Sequence, residues 1–269
     1  MGEAVRRTLP VVVVVAGLLV VWYVAAILAD HGSLALDRPL VPAPHQVAAA
    51  LLAGIVQPVN SPRSLIYHAS VTAASALVGF ALAFVLGIAL AIGIVNVRLF
   101  DRSIMPWIIA SQTVPALAVA PMVVVALGNA GLTGLVPKAL IAAWLSFFPI
   151  VTSMVAGLRS PERIQLDLLR TYSAGSWDVF ARLRWPASMA FLFPGMKIAA
   201  TLAVVGAIVA ELPTGAQAGL GARLLGASYY GQTLQLWAAL AMASLLAVAA
   251  VATADVARAV LVRARGGRL

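Results

Sequence analysis

Residues 71–95 read VTAASALVGFALAFVLGIALAIGIV, twenty-five positions without a charged side chain. About 20 mostly apolar residues carry a helix across the hydrocarbon core of a bilayer, so this run is long enough to span. It also carries a stripe of small residues: Gly79, Ala83, Gly87 and Ala91 recur every four positions, with Ala89 and Gly93 beside them. In lipid, helices associate through close backbone approach and not through water exclusion, and small residues permit that approach. Two partners remain open for the stripe: another helix of this chain, or a helix of a second membrane protein.

Similar runs lie on both sides. A first span reads from Val11 to Leu28, preceded by Arg6 and Arg7 and followed by Asp30 and His31. A cleaved signal peptide ending near Ile27-Leu28-Ala29 is the competing reading; the length of the run favours a retained helix. Residues 30–70 are more polar and carry Pro39, Pro42, Pro44, Pro58 and Pro62; within them His45–Val56 reads as a short interfacial helix. The third span covers Ile104–Leu127 and is expected to break at Pro115 and Pro121. The fourth covers Gly134–Gly157 with Pro137 and Pro149, the fifth Ala187–Ala210, the sixth Leu236–Val262. Hydrophobic residues make up 62% of the chain and charged ones 10%, against about 25% charged in soluble domains. So few charges cannot coat a soluble surface. The expectation is an all-α polytopic membrane protein of about six transmembrane helices, one domain over residues 1–269.

The net charge of +9 raises nucleic-acid binding, but the arginines sit in short segments between apolar runs, where the positive-inside bias puts them. With the N-terminus inside, thirteen basic residues are cytoplasmic: Arg6, Arg7, Arg98, Arg102, Arg159, Arg163, Arg170, Arg182, Arg184, Arg258, Arg263, Arg265 and Arg268. Four are outside (Arg38, Arg63, Arg223 and Lys138) and Lys197 lies within a span. That asymmetry places both termini in the cytoplasm. The absence of cysteine excludes disulfides and thiolate sites, and His31, His45 and His68 lack metal-ligand spacing.

The polar stretch 160–186 reads as two short helices with a turn at Ser173–Ser176. Ile164, Leu168 and Tyr172 fall on one face of the first, and Trp177, Phe180 and Arg184 on one face of the second. Ser176 is placed to cap the second helix and Pro186 to end it. Apolar side chains beside arginines and aspartates make either a docking surface for a soluble partner or an amphipathic interfacial segment.

Within the membrane, Ser111, Gln112 and Thr113 precede Pro115. Freed backbone groups persist at depth only against protein or a water-filled cavity, so this is either a pathway lining or a kinked packing helix. Lys197 reads as a pathway charge or as a structural partner of a carbonyl or of Asp255; Asp255 also has Arg258 three residues on. Glu211 stands at the outer end of the fifth span as a gate residue or a plain interfacial acid. Tyr229 and Tyr230 fit an aromatic belt. No Asp, Glu or His lies at the centre of a span, which argues against a proton-coupled secondary transporter. No paired acids or Ser-His set lies at membrane depth, which argues against an intramembrane enzyme. The chain carries no Gly-x-x-x-x-Gly-Lys-Ser/Thr loop for nucleotide phosphates.

The stretch before Pro186 resembles the cytoplasmic loop of binding-protein-dependent (ABC-type) importer permeases: Glu-Ala-Ala, three residues, Gly, then an aliphatic residue and Leu-Pro. Asp167 stands at the Glu, Leu168 and Leu169 at the two Ala, Ser173 at the Gly and Trp185-Pro186 at Leu-Pro, with Gly175 an alternative turn glycine. The resemblance runs from about Leu40 to Val262. It includes Val41-Pro42-Ala43-Pro44; His68, Thr72, Gly79-Phe80 and Gly87-Ile88, with Ser75 where an Arg often stands; Pro115, Ala118, Pro121 and Gly128; Phe147-Phe148-Pro149; and Gly206–Glu211 followed by Gly219-Leu220-Gly221. It points to the nitrate, sulfonate and taurine branch, while Leu192-Phe193-Pro194-Gly195-Met196-Lys197 also resembles importers of thiamine-pyrimidine or similar heterocyclic precursors. The resemblance implies a bacterial inner-membrane permease that pairs with a second permease, receives solute from a periplasmic or lipid-anchored binding protein, and is driven by separate ATPase subunits. ATP and Mg would sit on those subunits and no cofactor on this chain. It implies ATPase coupling through Asp167, Arg170, Tyr172, Ser173, Ala174, Gly175, Trp177, Phe180 and Pro186. The translocation-pathway candidates are Gln112, Thr113, Pro115, Lys197 and Glu211, and the solute is read as a small organic anion or, alternatively, a heterocycle.

Overall fold

The computed structural model describes residues 2–31, 41–59, 61–212 and 216–264. Arg38, Pro39, Leu40, Arg265 and Arg268 lie outside the described residues, as do the side chains of Arg6, Arg7, Asp30 and His31. Among the described residues there are eleven α-helices and no strand: α1 (Gly2–His31), α2 (Pro44–Val56), α3 (Leu65–Asn96), α4 (Arg98–Ala110), α5 (Ala116–Asn129), α6 (Leu135–Leu158), α7 (Arg163–Thr171), α8 (Ser176–Val179), α9 (Trp185–Glu211), α10 (Leu220–Tyr229) and α11 (Thr233–Ala264). Five helices are long and apolar enough to cross a membrane, and six if the α4–α5 pair counts as one span. Helix is what lipid demands, because each backbone N–H and C=O must find its partner within the segment.

Packing falls into two compact units, Met1–His68 with Arg223–Met242, and Ala69–Ala222 with Ala243–Leu269. In the first, the Trp22 indole N–H donates to the Pro42 carbonyl at 3.1 Å, and its ring lies 5.3 Å from that of Trp237. The Tyr23 ring stacks on His45. Helix α2 presses on Leu65, where a Cβ at Gly54 would come within 2.6 Å of Cδ1. Most of α1 is exposed, including Val11, Val14, Leu18 and Val21, as suits a lipid-facing helix.

The second unit is built on α6 and α9, which run antiparallel and touch through glycines. A Cβ at Gly157 would lie 2.7 Å from Ser188 Cα, and one at Gly206 would lie 2.7 Å from Ala142 Cα. Helix α3 lies on the same α6. A Cβ at Gly79 would be 2.6 Å from the Ala139 carbonyl, and at Gly87 2.8 Å from Ile150 Cγ2, while Ala83 and Ala91 are buried. Of the two partners open for the small-residue stripe, the structure supplies the one within the chain. Ile94, Ile150, Met154, Leu158 and Phe193 complete this core.

The third span differs from expectation. It is two helices bent by 102°, joined by a 3-10 turn at Ser111–Thr113, and Pro115 forms the N-cap of α5. Pro121 lies inside α5 without breaking it. One missing donor leaves a single gap in the ladder, and α5 is held there by Ala120 and Val123, which pack with Ile141 and Ala210. The bent pair nevertheless crosses. Arg159, at the end of α6, pairs with Asp101 of α4 at 2.9 Å, so these two lie on one side. Thr72, Lys138 and Glu211 meet at the other end of α3, α6 and α9. The chain must pass from the Asp101 end to the Lys138 end between residues 101 and 138.

Candidate functional site

The arginine-rich end of the second unit contains the 160–186 stretch. Helix α7 opens with the Glu162 N–H donating to Gln165 Oε1 at 3.0 Å. It closes in a Schellman arrangement: Ser173 N–H donates to Arg170 C=O and Ala174 N–H to Leu169 C=O. Ser173 carries the left-handed φ of 57°, whereas Gly175 is extended, with φ −68°. Ser173 therefore occupies the turn position at which the resembled family has glycine. Gly175, not Ser176, is the N-cap of α8, and the Ser176 side chain makes no cap bond.

Pro186 does not end a helix either. The chain is helical from Ser176 to Glu211, passing through a π-turn at Phe180–Arg184, where Trp185 N–H donates to Phe180 C=O. A proline lacks the N–H and crowds the carbonyl four residues back. The wider π-turn lodges it, so Pro186 stands in the first turn of α9.

Ile164, Leu168, Tyr172 and Trp177 are exposed, Trp177 to 75%. Trp177 stacks on Phe180 with ring centroids 5.7 Å apart, and Phe180 meets Trp185 at 6.0 Å. Phe180 and Trp185 pack against the core of the unit. This aromatic run links the exposed face to the interior. Arg170 pairs with Asp167 at 2.8 Å and Arg182 with Asp178 at 3.1 Å, on exposed surfaces. Ala174 is half-buried in the turn between the helices.

The five pathway candidates fall in three places. Gln112, Thr113 and Pro115 are exposed at the α4–α5 break. Ser111 Oγ donates to Ile108 C=O at 2.7 Å and Thr113 Oγ1 to Ala110 C=O at 2.8 Å, while Gln112 and Pro115 line a pocket with Trp144 and Leu145. Lys197 is paired with Asp255 at 2.5 Å. That is the structural partner considered from sequence, and it replaces the Asp255–Arg258 pairing suggested by spacing.

Glu211 is at the outer end and fully buried. Thr72 Oγ1 lies 3.0 Å from both carboxylate oxygens, Gly221 N–H donates to Oε2 at 2.8 Å, and Lys138 Nζ lies 3.7 Å from Oε1. Lys138, itself buried, donates to the Ala218 carbonyl at 3.1 Å, and Leu220 N–H donates to Thr72 Oγ1 at 2.8 Å. Gly219, with φ of 124°, leaves room where a Cβ would fall on the Glu211 carboxyl group. Sequence reasoning missed Lys138, counted as an edge charge, and gave Thr72 no role. The available signals were a lysine inside the first turn of an apolar helix and the Gly219-x-Gly221 spacing.

A family model described as "Binding-protein-dependent transport system inner membrane component" matches residues 83–266. The chain is 32% identical over 206 residues to the formylaminopyrimidine transport permease protein ThiX of Halalkalibacterium halodurans, covering 76% of this chain and 75% of that one. It is 30% identical to the riboflavin transport system permease protein RibX of Chloroflexus aurantiacus over 91% of this chain and 86% of that one. It is 26% identical to the nitrate import permease protein NrtB of Leptolyngbya laminosa over 80% of this chain and 74% of that one.

Proposed function

The chain belongs to the binding-protein-dependent transport system inner membrane component family, as an ABC importer permease of the bacterial inner membrane, and on that premise we propose that residues 160–186 are the socket for its ATPase subunits. The observation that carries this is the exposed apolar set Ile164, Leu168, Tyr172 and Trp177 on the arginine-rich side. Large apolar side chains bared beside charges mark a site that a partner covers. Asp167, Arg170, Ser173, Ala174 and Gly175 shape that socket, Trp177 and Phe180 connect it to the core, and Pro186 starts the span that follows. Gln112, Thr113 and Pro115 are proposed to line the pathway at the bent third span. Lys197 is proposed to brace α9 against α11 beside that pathway. The chain acts as one permease domain beside a second permease, with solute delivered by a binding protein and ATP and Mg held by the ATPase subunits.

Two solute classes stand. A small sulfonate-, taurine- or nitrate-like anion is supported by the sequence resemblance and by the name of the nitrate relative. A nitrogen heterocycle is supported by the names of the formylaminopyrimidine and riboflavin relatives, which match at higher identity. The native mass of the complex purified through this chain tests the proposal. Two ATPase subunits per pair of permeases are expected, with ATP hydrolysis in the purified material; a chain that purifies without an ATPase overturns it.

A further inference from the structure

We infer that Glu211, Thr72 and Lys138 form a clasp that holds residues 216–221 across the outer end of α3, α6 and α9, and that this clasp opens and closes with the nucleotide state of the ATPase. The inference rests on the importer reading and adds positioning residues that the reading does not require. Three features of the cluster carry it. First, the bonds run to the backbone of the segment leading into α10: Lys138 to the Ala218 carbonyl, and Thr72 and Glu211 from the N–H groups of Leu220 and Gly221 in the first turn of α10. Second, Gly219 and Gly221 let the loop lie directly on the carboxylate; a Cβ at Gly221 would come within 2.7 Å of Glu211 Cβ. Third, the three bonds come from α3, α6 and α9, the helices on which the unit is built, so the segment is tied to each of them separately.

A clasp of this kind suits a two-state element better than an apolar seal does. A buried ion pair is stable with all its partners in place and strongly disfavoured with one removed, so it favours two discrete arrangements over a range of intermediates. The loop it holds also walls a pocket with Ser75, Gly134 and Lys138 at the same end. Moving the loop changes access to that pocket from the outer side.

The natural chain has no cysteine, so Ala218→Cys is a unique label site. The complex with its ATPase, in lipid nanodiscs, is treated with a maleimide both nucleotide-free and trapped with Mg-ATP and vanadate. A labelling rate at least fivefold different between the two states is expected. Glu211→Gln, Lys138→Met and Thr72→Val, each combined with Ala218→Cys, are expected to raise the nucleotide-free rate at least fivefold and to abolish the dependence on nucleotide. A static structural role predicts equal rates in both states, and that result overturns the inference, as do variants that keep the parent's rates. Where either charge variant fails to assemble, Thr72→Val, which keeps both charges, carries the same two outcomes. Should no ATPase accompany the Ala218→Cys chain, the importer reading fails; the clasp is then judged from nucleotide-free rates alone, where unchanged rates in Thr72→Val reject it.

Discussion

The two ends of the Ala69–Ala222 unit handle charge in opposite ways. At the outer end, Lys138 and Glu211 are withdrawn from solvent and each has its partners within the chain. At the inner end, Asp167, Arg170, Asp178 and Arg182 form pairs on exposed surface, and the large side chains of Ile164, Leu168, Tyr172 and Trp177 are bare beside them. The outer end is complete as folded, whereas the inner end is finished only by another protein. Removing a group should therefore cost stability at the outer end and assembly at the inner end.

The largest expected effect comes from Lys138→Met. It strands a buried carboxylate and should destabilise the protein by about 3–5 kcal/mol, read as a loss of thermal stability in detergent. Glu211→Gln added to it should recover most of that loss, because neither charge is then left alone. A loss below 1 kcal/mol for the single substitution would mean that the outer end is not self-sufficient. Next, Trp177→Ala with Phe180→Ala removes the exposed aromatic anchor Trp177, worth about 2 kcal/mol where a partner buries it, together with the ring that holds it against the core. ATPase recovered in pull-down should fall by more than tenfold with membrane insertion unchanged, and normal recovery would move the docking site elsewhere. Ser173→Gly relieves a left-handed serine and should stabilise the α7 terminus by about 1 kcal/mol, measured as protection of its amides from hydrogen exchange. Smallest is Asp167→Asn, which breaks an exposed pair worth below ~1 kcal/mol and should leave thermal stability within error.

How much of this was readable in advance depends on range in the chain. Spans and sidedness depend on windows of about 20 residues and on nearby arginines, so Val71–Val95 and the inner position of Arg159–Arg184 could be read directly. The outer cluster could not: Thr72 meets Leu220 across 148 positions and Glu211 across 139. Only its fragments, an interfacial acid and a Gly-x-Gly, showed in the sequence. Pro115 announced a break, but the 102° angle comes from how α5 packs on α6 and α9. Pro186 was misread as a stop because a proline restricts the residue before it, and local rules do not foresee a π-turn that lodges the ring. For Lys197 the sequence offers a pathway charge or a tie to Asp255, and the tie becomes visible only with the approach of α9 to α11.

That π-turn has a mechanical consequence. Because it carries Pro186 without interrupting the helix, the 36 residues from Ser176 to Glu211 run as one continuous helical stretch of about 54 Å at 1.5 Å per residue. A bilayer core is only ~30 Å thick. Trp177 on the cytoplasmic face and Glu211 at the outer end therefore belong to one helical stretch longer than the bilayer core is thick, with the π-turn and Pro194 as the places along it where a stroke could be absorbed.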